Sequence, residues 1–188
     1  MSEEIKPEVV ATETTDVETA KPELIEEAKA DLRASSIPFD ENIQTGVMTE
    51  TAASGVIADL LAAEADFFSI GTNDLTGYTM AADRGNSDVS YLYSPFQPAV
   101  LRMIKTIIEE GRKRGIPVGM CGEAAANPMM VPLLISFGLT EFSVSAPSVL
   151  KVRKNISKWT KEEADKAAQK VMSMATAREV ISYLKTIV

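Results

Sequence analysis

Three short apolar runs each end in polar groups of the kind that bind cations and phosphates. Phe67-Phe68-Ser69-Ile70 runs through Gly71 and Thr72 into Asn73-Asp74, with Asp83-Arg84 a little further on. Ile43-Gln44-Thr45-Gly46-Val47-Met48-Thr49 ends in Glu50, and Pro117-Val118-Gly119-Met120 runs into Cys121-Gly122-Glu123. A short apolar run that stops at a turn residue fits a buried strand. In parallel α/β folds the C-terminal ends of successive strands share one rim, and ligands bind there. Glu50, Asp74 and Asn73 on such a rim suit a hard divalent cation. Mg²⁺ is typically held by one or two carboxylates together with substrate phosphate oxygens and water. Arg84 could return to the same rim as a phosphate clamp. Cys121 sits on a turn flanked by Gly122, where backbone can approach a ligand closely.

Each of these residues also has an ordinary structural use. A carboxylate at a strand end can be a solvated loop residue or a helix cap. A single cysteine can be an inert small hydrophobe. Arg84 beside Asp83 can be a surface ion pair, and Glu123 can be a helix-entry carboxylate. The residues alone define a rim and do not define a reaction.

Composition narrows the classes. The chain has 188 residues, enough for one domain with a sizeable core. Its formal net charge of −8 argues against a nucleic-acid binder, which needs a basic footprint. No apolar run approaches the roughly 18–20 residues of a membrane span, so no membrane insertion is expected. The acidic, polar start MSEEIKPEVV is no signal peptide. Cys121 is the one cysteine, which excludes an internal disulfide and fits a reducing, cytoplasmic setting. Histidine is absent, so the usual general base, the commonest metal ligand and any phosphohistidine must come from elsewhere.

The elements that must carry the rim follow from periodicity. Residues 1–20 are polar without a helical stripe and read as a disordered leader. From Lys21, Leu24, Ile25, Ala28 and Leu32 fall at helical spacing, and the helix should end near Ser35-Ser36, before Ile37-Pro38. Residues 52–63 read as one helix with Val56, Ile57, Leu60 and Leu61 inside, and residues 75–82 as a short one. Val100, Leu101, Ile104, Ile107 and Ile108 give 98–114 its stripe, and Gly115 closes it. Asn127-Pro128 reads as an N-cap and first helical residue, with Met130, Leu133, Leu134 and Phe137 buried and Gly138 as the stop. Residues 141–145 read as a fourth strand. Thr160-x-x-Glu163 and Thr176-x-x-Glu179 are capping boxes for helices near 161–172 and 177–187. The order is βα repeated, hence a parallel sheet with right-handed crossovers. Four strands are half of the eight that close a TIM-type barrel.

Several segments resemble the phosphoenolpyruvate-utilising enzymes, and within them most closely the enzyme I group of the bacterial sugar phosphotransferase system. They are Asp66 through Thr76, Asp83-Arg84-Gly85-Asn86, Gly46 through Thr51, Tyr93-Ser94-Pro95, Gly119 through Ala125 and Glu141 through Ser145. The resemblance covers about residues 21–188. It implies the C-terminal half of a (β/α)₈ barrel with two extra terminal helices. It further implies phosphoryl transfer from phosphoenolpyruvate to a protein histidine, with release of pyruvate. Glu50 and Asp74 would be Mg²⁺ ligands, Asn73 and Asp74 would line the phosphoenolpyruvate site, and Arg84 would hold the phosphate. Cys121 would protonate the methylene carbon of the enolate, and a thiol has a proton to give at neutral pH.

The family's phosphorylated histidine and first half-barrel are not among these residues, so a complementary N-terminal half, or self-association, is expected. Contact with a histidine-containing phosphocarrier protein would run through that missing part. A non-catalytic binding or interaction module is the alternative. The family's Glu-Thr-Pro reads Glu50-Thr51-Ala52 here, Thr49 replaces an apolar residue, and Gln97 stands where many members have histidine.

Overall fold

The computed structural model describes residues 17–188, with side chains from residue 24 onward. Most of the expected leader, residues 1–16, lies outside the described residues. The chain forms two units, 1–43 and 44–188. The first holds helix α1 (Val17–Ala34), which ends close to the expected stop at Ser35-Ser36 and begins a turn earlier than periodicity indicates. Its stripe is not buried: Leu24 is 65% exposed, and Ile25 and Leu32 are half-buried. Arg33 turns the chain back after the helix. Its guanidinium donates to both carboxylate oxygens of Glu41 and lies 5.5 Å from the centre of the Phe39 ring.

The second unit contains β1 (Gly46–Thr49), β2 (Phe67–Gly71), β3 (Val118–Cys121) and β4 (Glu141–Phe142). They form one parallel sheet in the order β1-β2-β3-β4. Register fixes which residues share a face, because side chains alternate along each strand. Val47, Phe68 and Val118 align, as do Thr49, Ile70 and Met120. Phe68, Ile70, Val118 and Met120 are all but fully buried on the helix-covered face. Met48, Ser69, Gly119 and Glu141 align on the opposite face, where Met48 is half exposed.

The core of this unit is built around α5 (Pro98–Arg114). Its five predicted stripe residues, Val100, Leu101, Ile104, Ile107 and Ile108, have at most 1% exposure. Burying each such side chain contributes about 1.5–3 kcal/mol. Gly115 ends α5 in the left-handed conformation at φ 75°. The same device, Gly138 at φ 92°, ends α7 (Val131–Phe137). Both terminal capping boxes form, on α9 (Lys161–Met172) and α10 (Ala177–Leu184). Hydrogen bonds from the cap residues hold both carboxyls below the usual glutamate range: for Glu163 chiefly the Thr160 backbone N–H, then its hydroxyl, and for Glu179 chiefly the Thr176 hydroxyl, then the Ala175 and Thr176 backbone N–H groups.

The segment after β1 differs most from expectation. It breaks at Ile57 into α2 (Ala52–Val56) and α3 (Ala58–Glu64). The buried side consists of Gly55, Ala58 and Ala62, while Val56 is 71% and Leu60 64% exposed. The reason is spacing. α2 and α3 pack tightly on α5, and a Cβ on Gly55 would collide with Met103 of that helix. Only small residues fit such an approach, so the small face turns inward and the bulky one outward.

Other boundaries also move. α4 (Thr72–Met80) starts three residues before the predicted Leu75. A short α6 (Glu123–Ala126) precedes a turn in which Asn127 Oδ1 accepts from the Met129 N–H, so α7 starts beyond Pro128. α8 (Val149–Ile156) follows β4 and was not foreseen. Among the described residues no helix is long and apolar enough to cross a membrane.

Inverted burial around α3 makes a direct prediction. Ile108→Ala should lower the unfolding free energy by about 2–5 kcal/mol. Leu60→Ala should change it by less than about 0.5 kcal/mol. Urea denaturation of the two variants checks both; a large loss at Leu60 would contradict the packing.

Candidate functional site

The rim is organised around the C-terminal end of β2. Gly71 is that strand's last residue. Glu50, just past β1, lays its carboxylate against it: a Cβ on Gly71 would sit 2.6 Å from Oε2. On the other side, Cys121 is the ladder partner of Gly71. Its thiol is directed at the Ile70 carbonyl, with Sγ 3.6 Å from the oxygen. Glu50 and Cys121 therefore flank the same glycine from the two neighbouring strands.

Thr72, Asn73 and Asp74 form the first turn of α4 rather than a loop. This turn is pinned to β3. The Thr72 hydroxyl donates to the Cys121 carbonyl at 2.8 Å. Gly122, at φ 89°, allows that approach, since a Cβ there would strike Thr72 Oγ1 and lie 3.1 Å from Asn73 Oδ1. A carboxylate in the first turn of a helix is also favoured by the helix dipole, which suits Asp74.

Asn73, Asp74 and Arg84 line one cleft of about 340 Å³, with Tyr78, Asp83 and Tyr93. Asn73 and Tyr93 also wall a neighbouring cleft of about 350 Å³ that reaches Glu123. The structure thus brings three of the five predicted site residues into one cleft, and places Glu50 and Cys121 around Gly71 instead. Asp83 is engaged locally, accepting from the Gly85 N–H at 2.7 Å. Among the described residues Arg84 is in no ion pair.

Tyr93 is the residue that sequence reasoning did not assign. Its hydroxyl donates to the Asn73 carbonyl at 2.8 Å, fixing the turn that carries Asn73 and Asp74. Burial pushes the phenol above its ordinary pKa, and the Arg84 guanidinium pulls the other way. The carboxylates of Glu123 and Asp74 reinforce the rise. The signal was present in Tyr93-Ser94-Pro95, but nothing local says that this tyrosine reaches back to α4.

Among the described residues no three His, Cys, Asp or Glu side chains gather closely enough to cage a metal ion. Mg²⁺ is often held by only one or two carboxylates, so the residues expected to bind it would need their remaining oxygens from a substrate and water. The chemistry of the carboxylates present suits that kind of ion: Glu50 lies over Gly71 and Asp74 on the first turn of α4.

Parallel strands alternating with helices and ending in these groups agree with the family comparison. The profile for the PEP-utilising enzyme, PEP-binding domain, matches residues 7–161. The chain belongs to this family of phosphoenolpyruvate-utilising enzymes. Its relatives include the phosphoenolpyruvate-protein phosphotransferase of Bacillus subtilis (strain 168), 49% identical over 166 residues. The aligned part is 88% of this chain and 29% of that protein. The proteins of the same name from Listeria monocytogenes and Staphylococcus aureus are each 45% identical, over 163 and 169 residues. These alignments take in 87% and 90% of this chain, and 28% and 29% of the relatives. The chain thus spans less than a third of the length of these curated relatives.

Two outcomes test the geometry. An alkaline titration followed by tyrosinate absorbance should show a transition above the ordinary tyrosine range that Tyr93→Phe removes. Because folding raises this pKa, the phenol's contribution to stability is present below the unfolded value, near about 10. It is lost as pH rises through the folded one. Gly122→Ala should destabilise the fold by about 1–3 kcal/mol, read by chemical denaturation, because it combines left-handed strain with a collision at Thr72.

Proposed function

We propose that residues 21–188 belong to the C-terminal half of a phosphoenolpyruvate-binding (β/α)₈ barrel. The activity would be that of a phosphoenolpyruvate–protein phosphotransferase of the sugar phosphotransferase system. The observation that carries this reading is the convergence of Asn73, Asp74 and Arg84 on one cleft at the C-terminal rim of a parallel sheet. The identity to proteins named for that activity supports it.

In this reading Arg84 holds the phosphate of phosphoenolpyruvate, where a guanidinium can make two parallel charge-assisted hydrogen bonds. Asn73 orients the substrate and Tyr93 keeps the Asn73 turn in place. Glu50 and Asp74 would hold Mg²⁺. When bound, the ion offsets charge on the phosphoryl group and on the enolate oxygen. The phosphoryl group leaves the enol oxygen for a histidine nitrogen. The enolate that remains takes a proton on its methylene carbon from the Cys121 thiol, giving pyruvate. The thiolate regains its proton from water.

The acceptor histidine is not in this chain, which contains none. A complementary half, joined to these residues or separate from them, would carry that histidine and the other strands, and would also meet the histidine-containing phosphocarrier protein. A cytoplasmic setting goes with this reading. The same lack of histidine favours the second reading, a module that binds phosphoenolpyruvate and Mg²⁺ without turnover.

Mixing the chain with Mg²⁺ and phosphoenolpyruvate, with and without an N-terminal fragment that bears the histidine, separates the two. Pyruvate should appear only with the fragment; none in either mixture would sink the catalytic reading. In the complemented system Cys121→Ala should cut pyruvate formation by about 10²-fold or more, with phosphoenolpyruvate binding nearly unchanged. Equal losses would argue against a proton-donor role. Arg84→Ala should instead weaken phosphoenolpyruvate binding by roughly tenfold or more in calorimetry.

A further inference from the structure

Asn73 and Tyr93 wall two clefts, and the two differ in charge. The cleft read above as the substrate site holds Arg84. Its neighbour, of about 350 Å³, is lined by no lysine or arginine, and its one charged group is Glu123, the first residue of α6. Glu123 is exposed, and among the described residues it is in no ion pair. The second cleft is closed off by Ile181 of α10, so the terminal helix takes part in it. Its side-chain hydrogen bonds leave donors over. Thr72 donates to the Cys121 carbonyl and Tyr93 to the Asn73 carbonyl. Asn127 accepts from the Met129 N–H through Oδ1, which leaves its amide N–H groups to donate. Ser94 Oγ accepts from the Phe96 N–H, which leaves its own proton. Thr76 lines the same cleft at 1% exposure, and its hydroxyl is in none of these bonds. A buried hydroxyl without a partner costs free energy, so Thr76 rewards a polar atom that enters.

We infer that this second cleft is a ligand site of its own, and that its ligand is a small hydroxylated primary amine. Its volume falls within the roughly 300–1,000 Å³ of small-molecule sites. Charge selects the class. An ammonium group bonds the Glu123 carboxylate in a charge-assisted pair, about twice as strong as a neutral hydrogen bond. A phosphate or carboxylate ligand would meet that same carboxylate with no cation to offset the repulsion, so the cleft is no extension of an anionic substrate site. Hydroxyl groups fit the remaining polar atoms, because a hydroxyl both donates and accepts. It can accept from the Asn127 amide and from Ser94, and can bond Thr76 in either direction. Pro95, Phe96 and Ile181 supply an apolar wall for the ligand's carbon frame. A bare inorganic cation would leave both that wall and the Thr76 hydroxyl unused. Tyr93 is a firm partition between the two clefts. Its ring is seated against α4, where a Cβ on Gly77 would lie 3.6 Å from Cε2. The amine and a ligand beside Arg84 can therefore be bound together, with Asn73 and Tyr93 between them. The inference stands on the second cleft and does not require the proposed function.

Glucosamine is the probe, with glucose and ammonium chloride as controls that carry its hydroxyl groups and its charge separately. The nitrogen-labelled 188-residue chain is titrated at mildly acidic pH, where the amine is protonated, and its amide resonances are followed. Glucosamine should give saturable shifts at Thr76, Ala124 and Asn127, with a dissociation constant on the order of millimolar. Glucose and ammonium chloride should each bind at least roughly tenfold more weakly. Glu123→Gln, at an exposed position, should keep the wild-type circular dichroism spectrum, weaken glucosamine by roughly tenfold and bring it level with glucose. Thr76→Val should weaken glucosamine by about fivefold. The glucosamine shifts should persist with Mg²⁺ and phosphoenolpyruvate present. No saturable shift at these residues would overturn the inference, as would an equal response to glucose or to ammonium chloride. So would indifference to Glu123→Gln, or displacement by phosphoenolpyruvate. The outcome is separable from the proposed function. Glucosamine binding to a chain that binds no phosphoenolpyruvate defeats only that function, whereas phosphoenolpyruvate binding without glucosamine binding defeats only the second site.

Discussion

The contact on which the site depends is the close approach of α4's first turn to the end of β3. Thr72 donates to the Cys121 carbonyl across a gap that exists because residue 122 has no side chain. That bond fixes the helix start relative to the strand, and with it the positions of Asn73 and Asp74. Tyr93 closes the arrangement from the other side by donating to the Asn73 carbonyl. Neither bond is strong by itself, since a typical hydrogen bond contributes about 1 kcal/mol net. Their value is positional. Each satisfies a backbone carbonyl near the rim and leaves the Asn73 amide and the Asp74 carboxylate unencumbered.

Rigidity comes from beneath. The sheet presents Phe68, Ile70, Val118 and Met120 to the helices, and α5 answers with an unbroken buried stripe. A closely packed interior transmits small displacements, so the strand ends hold their register. The polar rim can then be built from single residues at strand ends, where few of them need be buried. Asp74 and Arg84 are exposed and Asn73 is half-buried. The desolvation cost of these charges is therefore deferred until a ligand arrives.

Openness is the third physical theme. Among the described residues the four-stranded parallel sheet has two unpaired edges, and both are bordered by helices with bare leucines. Parallel sheets in which one face lacks its cover are unusual because each such face leaves apolar surface in water. The brevity of β4 fits the same constraint, for a strand with a neighbour on one side only gains half of its ladder.

The sequence by itself determined the elements whose signals are local. α5 was legible residue by residue because its apolar period is long and unbroken, and its end was legible from Gly115. The capping boxes at Thr160 and Thr176 were legible because each is closed within a single turn. The rim residues Glu50, Asn73, Asp74, Arg84 and Cys121 could be named because glycine and polar groups interrupt three apolar runs. Tertiary structure decided what depends on a neighbour. Val56 and Leu60 have the spacing of an inner face, yet Met103 on α5 leaves room only for a glycine at position 55, and Ala58 and Ala62 are the residues of α3 that turn inward. The helix was expected to start at Leu75, and with Thr72 anchored on Cys121 it opens at Thr72, so Asn73 and Asp74 lie in its first turn. Tyr93 gained its place only through a contact with a residue twenty positions away. Local periodicity fixes what an element is; which of its faces turns inward is set by the shape of the surface it meets.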